Sequence, residues 1–300
     1  MKNVFGAEIC EINELANDKD VERTIIEMFS SVLRYLGISP EKSDAIMKEC
    51  LELAKNYDSL LDYEKAAHKV LEREGVVKYI PKILTERAEI LYNEIRPFLA
   101  KGNILDLGCG DGRIGRLVAK RTSGSKVVLA DVYKHHNIGK TGLDFKLFGQ
   151  EDDVPFEDNT FDITLVLTVL HHADDSIKTI KEAYRVTKPG GMIIVDESVF
   201  GVNGEDLSEE KREKIKHFIS LDYEQQMMVN IFFDHFYNRV IHYSEDPAKK
   251  VNVPFNLNTP KAWKKLFEEN GFKQEKLIHL GSDLPMVPEY HTLHVLRVQK

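Results

Sequence analysis

Cysteine is nearly absent from this chain of 300 residues, which carries only three. Cys10, Cys50 and Cys109 lie far apart and form no Cys-x-x-Cys pair. That argues against a disulfide framework and against the usual zinc-site spacing. Long apolar runs are missing too. No stretch approaches the ~18 consecutive apolar residues that span a bilayer, so no membrane partner is expected. The opening segment, Met1 to Glu8, lacks the apolar core of a secretory signal, and the expected compartment is the cytoplasm. Positive charge is in deficit, with 41 Lys and Arg against 49 Asp and Glu and a net charge of −8. A broad nucleic-acid surface would need a basic patch, so no nucleic-acid partner is expected. The pair His135-His136 sits in a polar loop without further ligands at metal spacing, and no metal is expected. There is no internal repeat and no low-complexity tract.

What is present is enough apolar content, 42% of residues, for a sizeable core in one large or two ordinary domains. Residues 1–98 read as helical. Asn17-Asp18 can cap a helix from about Asp20 to Tyr35, with Val21, Ile25, Met28, Val32 and Leu36 at helical spacing and Gly37 as its stop. Ser39-Pro40 opens a second helix, with Ser39 as N-cap and Pro40 at the first position. A third is expected at about Tyr63 to Glu74 and a fourth at about Lys82 to Phe98. This region is a packing layer, a lid beside a ligand site, or a dimerisation surface. The sequence does not set the oligomeric state.

From Asn103 the pattern changes to alternating strands and helices, the mark of a parallel sheet. Strands are expected at Ile104–Leu107, Lys126–Asp131, Asp144–Leu147, Ile163–Leu167 and Met192–Asp196. Two more are expected near Lys273–Leu280 and His291–Val298, after a helix that starts at Thr259-Pro260. The expected domains are thus a helical region at 1–98 and an α/β domain at 99–300. About sixty residues, 199–258, form a helical insertion after the fifth strand. Ligands of such sheets bind at the carboxyl ends of the strands, where an insertion of this size commonly caps a site.

The α/β part is organised around Asn-Ile-Leu-Asp-Leu-Gly-Cys-Gly-Asp-Gly-Arg-Ile-Gly, residues 103–115. A short apolar run carries one acid, Asp106. Glycines follow at 108, 110 and 112, and then an amphipathic stretch. Strand, glycine turn and helix together bring bare backbone N–H groups to a helix N-terminus, a place for electron-rich groups of a nucleoside. Gly110 to Gly115 also fits Gly-x-Gly-x-x-Gly, with Asp131 about twenty residues on. These residues alone therefore suit a nicotinamide dinucleotide as well.

Four stretches in order resemble the class I S-adenosylmethionine-dependent methyltransferases. Ile104-Leu-Asp106-Leu-Gly108-Cys-Gly110-Asp-Gly112-Arg is similar to their first motif. Leu129-Ala-Asp131 is similar to the acid that ends their second strand. Val154-Pro-Phe156 with Phe161-Asp162 and Leu170-His171-His172 resembles the entry and exit of their fourth. Arg185-Val-x-Lys188-Pro-Gly190-Gly191 resembles the turn into their fifth. The resemblance covers roughly residues 80–200 and the final helix and strand pair. It implies a Rossmann-like sheet of seven mostly parallel strands with an antiparallel last strand, and S-adenosylmethionine as cofactor.

By that resemblance the cofactor contacts are Asp106, Gly108, Cys109, Gly110, Gly112, Asp131, Val132, Gln150, Glu151 and Leu167. Asp131 would accept both ribose hydroxyls, which a carboxylate does well. Val132 or Tyr133 would pack beside the adenine. Asp106 either anchors the turn or sits near the cofactor's amino group. The family's acid after the third strand is replaced here by Gln150, so Gln150, Glu151 or Asp152 would meet the adenine amino group. His171 and His172, after the fourth strand, are candidates for a catalytic base or for the wall of the site.

In the insertion, Tyr223, Gln226, Asn230, Asp234 and Tyr237 recur on one helical face. Tyr223, Asn230, Asp234 and His235 are candidate substrate contacts. Met227, Met228, Ile231 and Phe232 suit an opposite, buried face. Ser208 to Lys214, of mixed charge, suits a solvated face. The expected activity is methyl transfer to a small-molecule acceptor. A protein or tRNA acceptor, a non-catalytic cofactor-binding subunit and a nicotinamide oxidoreductase are the competing readings.

Overall fold

A computed structural model describes residues 9–149, 153–246, 250–282 and 288–300. The chain divides into two compact units. The first comprises the described residues up to Leu84, of Ser198–Thr259 and of Leu280–Tyr290. The second comprises Thr85–Glu197, Pro260–His279 and His291–Lys300. The N-terminal helices and the insertion fall in one unit.

The first unit is helical. It contains α1 (Ile9–Asn17), α2 (Lys19–Tyr35), α3 (Pro40–Asn56), α4 (Leu60–Arg73) and the start of α5 (Ile80–Ile95). Helix α2 starts where the Asp18 carboxylate accepts from the amides of Asp20 and Val21, and α3 starts where Ser39 Oγ accepts from Lys42. The α2 stripe of Val21, Ile25, Met28, Val32 and Leu33 is buried against α3.

The second unit holds the sheet. After α5 come β1 (Asn103–Leu107), α6 (Arg113–Arg121), β2 (Lys126–Asp131), β3 (Asp144–Leu147), β4 (Phe161–Leu167), α7 (Ser176–Val186) and β5 (Thr187–Ser198). The chain then returns to the first unit through α8 (Glu209–Lys214), α9 (Lys216–Ser220), α10 (Tyr223–His235) and a π-helical turn, Phe236–Ile241. Among the described residues the helical insertion expected after the fifth strand thus comprises three helices and this turn. Asp222 starts α10 through a reciprocal capping box with Gln225.

The chain completes the sheet with α11 (Pro260–Glu269), β6 (Phe272–Gly281) and β7 (His291–Val298). The strand order is β3-β2-β1-β4-β5-β7-β6, with the last strand antiparallel. This is the expected sheet. Parallel register aligns Leu107 with Ala130 and Val166, and Leu167 with Asp196. The carboxyl ends of β1, β2, β4 and β5 therefore lie along one edge. Among the described residues no helix is long and apolar enough to cross a membrane.

Candidate active site

The turn after β1 is closed by backbone. Gly108 and Cys109 both donate to the Ala130 carbonyl at the end of β2 (2.8 and 3.2 Å), and Gly112 donates to Cys109 (2.9 Å). Gly108 has φ +75°, and a Cβ there would lie 2.4 Å from Val169 Cγ2, so both the conformation and the space demand glycine. Gly110 differs. Its φ is +54°, yet an added Cβ would meet no protein atom within 4 Å. The loop crest is therefore bare backbone facing open space.

Asp131, the last residue of β2, holds that crest. Its Oδ2 accepts from Gly110 N–H at 2.8 Å and its Oδ1 from Tyr133 N–H at 3.0 Å. Burial raises its carboxyl above the ordinary range, and the amides of Gly110, Tyr133 and Val132 pull it back. Val132 and Tyr133 are 42% and 43% exposed beside it. Asp106 is 2% exposed, and burial pushes its carboxyl up to about 7 against the opposing pull of the Gly115 amide. Gly115, in the first turn of α6, is crowded by Leu129 and Asp106, since a Cβ would lie 2.4 Å from Leu129 Cδ2 and 2.8 Å from Asp106 Oδ2.

The edge between β4 and β5 carries a second arrangement. Thr168 has φ +59° and donates its N–H to the Asp196 carbonyl. The chain then turns so that Val169 and Leu170 donate to Glu197 Oε1 (3.1 and 2.7 Å) and His171 N–H to Oε2 (3.3 Å). His171 Nδ1 lies 2.5 Å from the same oxygen. Burial drives Glu197 up to about 8 and His171 down to about 3. Both shifts favour the neutral forms. His172 is half-buried, its ring 4.1 Å from that of His171.

Residues 105–195 match the family model described as "Methyltransferase domain". A ubiquinone/menaquinone biosynthesis C-methyltransferase, UbiE, of Rickettsia prowazekii is 32% identical over 105 residues, 31% of this chain and 42% of the relative. A tRNA U34 carboxymethyltransferase of Nautilia profundicola is 32% identical over 159 residues, 49% and 52% of the two chains. A chain from the complex of the Haloferax volcanii Trm112 methyltransferase activator with a methyltransferase superposes with TM-score 0.50 at 14% identity. It covers 78% of this chain and 98% of that one, and it shows the fold alone. Over residues 105–195 the chain is similar to a methyltransferase domain. The chain spans about half or less of the length of the curated relatives it matches.

The residues present fit the expected cofactor, S-adenosylmethionine. The crest at Gly110 leaves backbone open to a ligand, and the Asp131 carboxylate keeps acceptor capacity beyond its backbone amides. Val132 and Tyr133 offer apolar surface next to that carboxylate. Cys109 is half-buried within the turn, and Leu167, 8% exposed, closes β4 in register with Asp196. Gln150, Glu151 and Asp152 lie outside the described residues.

Two of the methyltransferase-like motif residues hold strands rather than face the turn. Asp162 accepts from Asn103 N–H (2.8 Å) and from Lys188 Nζ (2.7 Å), tying together the starts of β1, β4 and β5.

The helical residues have partners inside their own unit. Asn230 donates to the Val199 carbonyl at 2.8 Å, and Gln226 exchanges hydrogen bonds with the Val202 backbone. His235 Nε2 lies 3.2 Å from Glu64, which also pairs with Arg239 and Lys250. Asp234 accepts from Asn238. Tyr223 is 62% exposed. The polar stripe of α10 is thus buried, as are apolar residues beside it. Gln226, Asn230 and Asp234 are buried, and so are Val229, Phe232 and Phe233. Of the residues expected on a buried face, Phe232 is buried, whereas Met227, Met228 and Ile231 are half-buried. Buried polar side chains are tolerated where hydrogen bonds replace water, as these do.

Asp196, Glu197 and His291 escape a reading of the sequence. Their one sequence signal is a pair of acids closing the apolar run Ile193-Ile194-Val195, at the strand end where ligands of such sheets bind.

Proposed function

We propose that the chain transfers the methyl group of S-adenosylmethionine to a small-molecule acceptor. The observation that carries the donor half is the Asp131–Gly110 lock. It sets a carboxylate beside an open crest of backbone amides, and so presents acceptors for ribose hydroxyls next to donors for the cofactor's electron-rich groups. Asp106 is the residue proposed for the cofactor's amino group, and Val132 and Tyr133 for the adenine. S-adenosylmethionine supplies a methyl group bound to a sulfonium. The chain's share of the catalysis is alignment and the exclusion of water. His171, held by Glu197, and His172 lie on the same edge, as bases or as walls of the site.

The acceptor half rests on charge. A net charge of −8 opposes the phosphate backbone that a tRNA acceptor would bring. Relatives named as a ubiquinone/menaquinone biosynthesis C-methyltransferase and as a tRNA U34 carboxymethyltransferase both match this chain, so it is the charge rather than the likeness that favours the small-molecule acceptor.

Calorimetric titration with S-adenosylmethionine tests the donor half: Asp131→Ala should weaken binding at least ~10-fold, and unchanged affinity would overturn the assignment. Release of S-adenosylhomocysteine, assayed with the low-molecular-mass, tRNA and protein fractions of a cell extract, tests the acceptor half. Turnover should follow the low-mass fraction alone.

A further inference from the structure

Asp196 and His291 form a buried pair whose hydrogen bonds the described residues do not supply. Asp196 is 0% exposed and His291 1%. Their closest approach, His291 Nδ1 to an Asp196 oxygen, is 3.4 Å and does not close a hydrogen bond. Both carboxylate oxygens and both ring nitrogens are without a hydrogen-bond partner among the described residues. A buried donor or acceptor left unmatched is costly, so in native proteins such groups have a partner, whether protein, water or ligand.

Topology places the pair with the rest of the site. Asp196 ends the parallel part of β5, in register with Leu167 of β4. His291 opens β7, which lies beside β5 and runs antiparallel to the sheet, so its first residue belongs to the carboxyl edge. The electrostatic neighbours are close. His171 feels His291, Asp196 and Arg87, while Glu197 and His294 feel Asp196. Asp196 offers only acceptors when ionised, and a neutral imidazole offers one donor and one acceptor. The ligand group that matches both is one that donates and accepts at once, such as a hydroxyl or an amine.

We propose that this pair receives the protic group of the methyl acceptor, with His291 taking its proton and Asp196 orienting the ring. The inference rests on the reading of the chain as a small-molecule methyltransferase. In the balanced step the acceptor's O–H or N–H bond breaks and leaves its electron pair on that atom. The atom bonds to the methyl carbon, the sulfonium keeps the electrons of the broken S–C bond, and the proton goes to His291. The Asp196 carboxylate balances the imidazolium that forms. The same chemistry sets the acceptor class: oxygen or nitrogen nucleophiles rather than preformed thiolates.

The test uses the full chain with 15N-labelled histidine, observed by NMR while phenol is added, with anisole, which lacks the proton, as control. Phenol should shift the His291 ring resonances saturably and anisole should not. In Asp196→Asn the phenol affinity should fall at least ~10-fold, as for a lost hydrogen bond to a charged group. His291→Gln should lose the assigned signals while keeping the wild-type circular dichroism. A ring resonance indifferent to phenol, or equal responses in wild type and Asp196→Asn, would overturn the proposal and leave a buried water as the pair's partner. S-adenosylmethionine titration of the same samples keeps the two readings apart. Loss of donor binding in the wild type would defeat the methyltransferase reading, whereas retained binding in both variants isolates a failure to the pair.

Discussion

Glu197 accepts three successive backbone N–H groups, those of Val169, Leu170 and His171, and a fourth contact from the His171 ring. One buried side chain at the end of β5 thereby shapes the whole turn that leaves β4. Replacing it with leucine strands those donors in a dry interior, at about 1–3 kcal/mol for each buried group left unmatched. Glu197→Leu should lower the urea midpoint far more than Glu197→Gln, which keeps one acceptor oxygen. Equal losses in the two variants would mean that the hydrogen bonds are not what holds the turn.

Asp131→Ala and Asp131→Asn should separate charge from hydrogen bonding at the cofactor turn. Loss of a charge-assisted hydrogen bond costs about 1.5–3 kcal/mol, roughly 10- to 100-fold in affinity. Calorimetry should show alanine as the worse variant. Thermal melting without ligand should change little in either.

The crest glycines make opposite predictions. Gly108→Ala combines a left-handed backbone with a 2.4 Å clash against Val169 and should unfold the turn. Gly110→Ala meets no protein atom, so it should cost only the ~1–2 kcal/mol of a left-handed alanine. Its larger effect should fall on S-adenosylmethionine affinity. Melting curves paired with titrations check this.

Asp106 should give stability a pH dependence of known sign. Its folded carboxyl sits at about 7, raised by burial from the ordinary 3.8. A raised value means that the folded state holds the proton more tightly than the unfolded chain. The stability contributed is full below about pH 4, is lost as pH rises, and levels off above about pH 7. Asp106→Asn removes the titration. The urea midpoint of the variant relative to wild type should therefore climb between pH 4 and 7 and flatten above it.

In the helical unit, Glu64 is fully buried and pairs with Arg239 (3.0 Å), Lys250 (2.8 Å) and His235 (3.2 Å). Glu64→Ala leaves two cations uncompensated, and breaking such a buried pair costs about 3–5 kcal/mol. The expected outcome is a large drop in melting temperature. A variant that melts like wild type would show that water, not Glu64, balances the cations.

Local order along the chain was legible in the residues. Asp18, Ser39 and Pro40 announce helix starts by their own side-chain chemistry, and glycine at 108, 110 and 112 announces the turn because few other residues accept that backbone. The seven strands follow from such local signals, since period, caps and turn residues act over a few positions, whereas the choice of cofactor for the turn is what the resemblance of four stretches in order implies. Burial and partnership were decided only by the tertiary structure. Nothing along the sequence distinguishes the polar stripe of α10 as buried, because what makes it tolerable is Val199 and Val202, more than twenty residues away, offering backbone to Asn230 and Gln226. Nor does the sequence join Glu197 to His171 or Asp196 to His291, across 26 and 95 positions. These pairings exist because parallel β4 and β5 and antiparallel β7 end at one edge of the sheet, where groups distant in the chain leave water together and must answer one another's charge and hydrogen bonds.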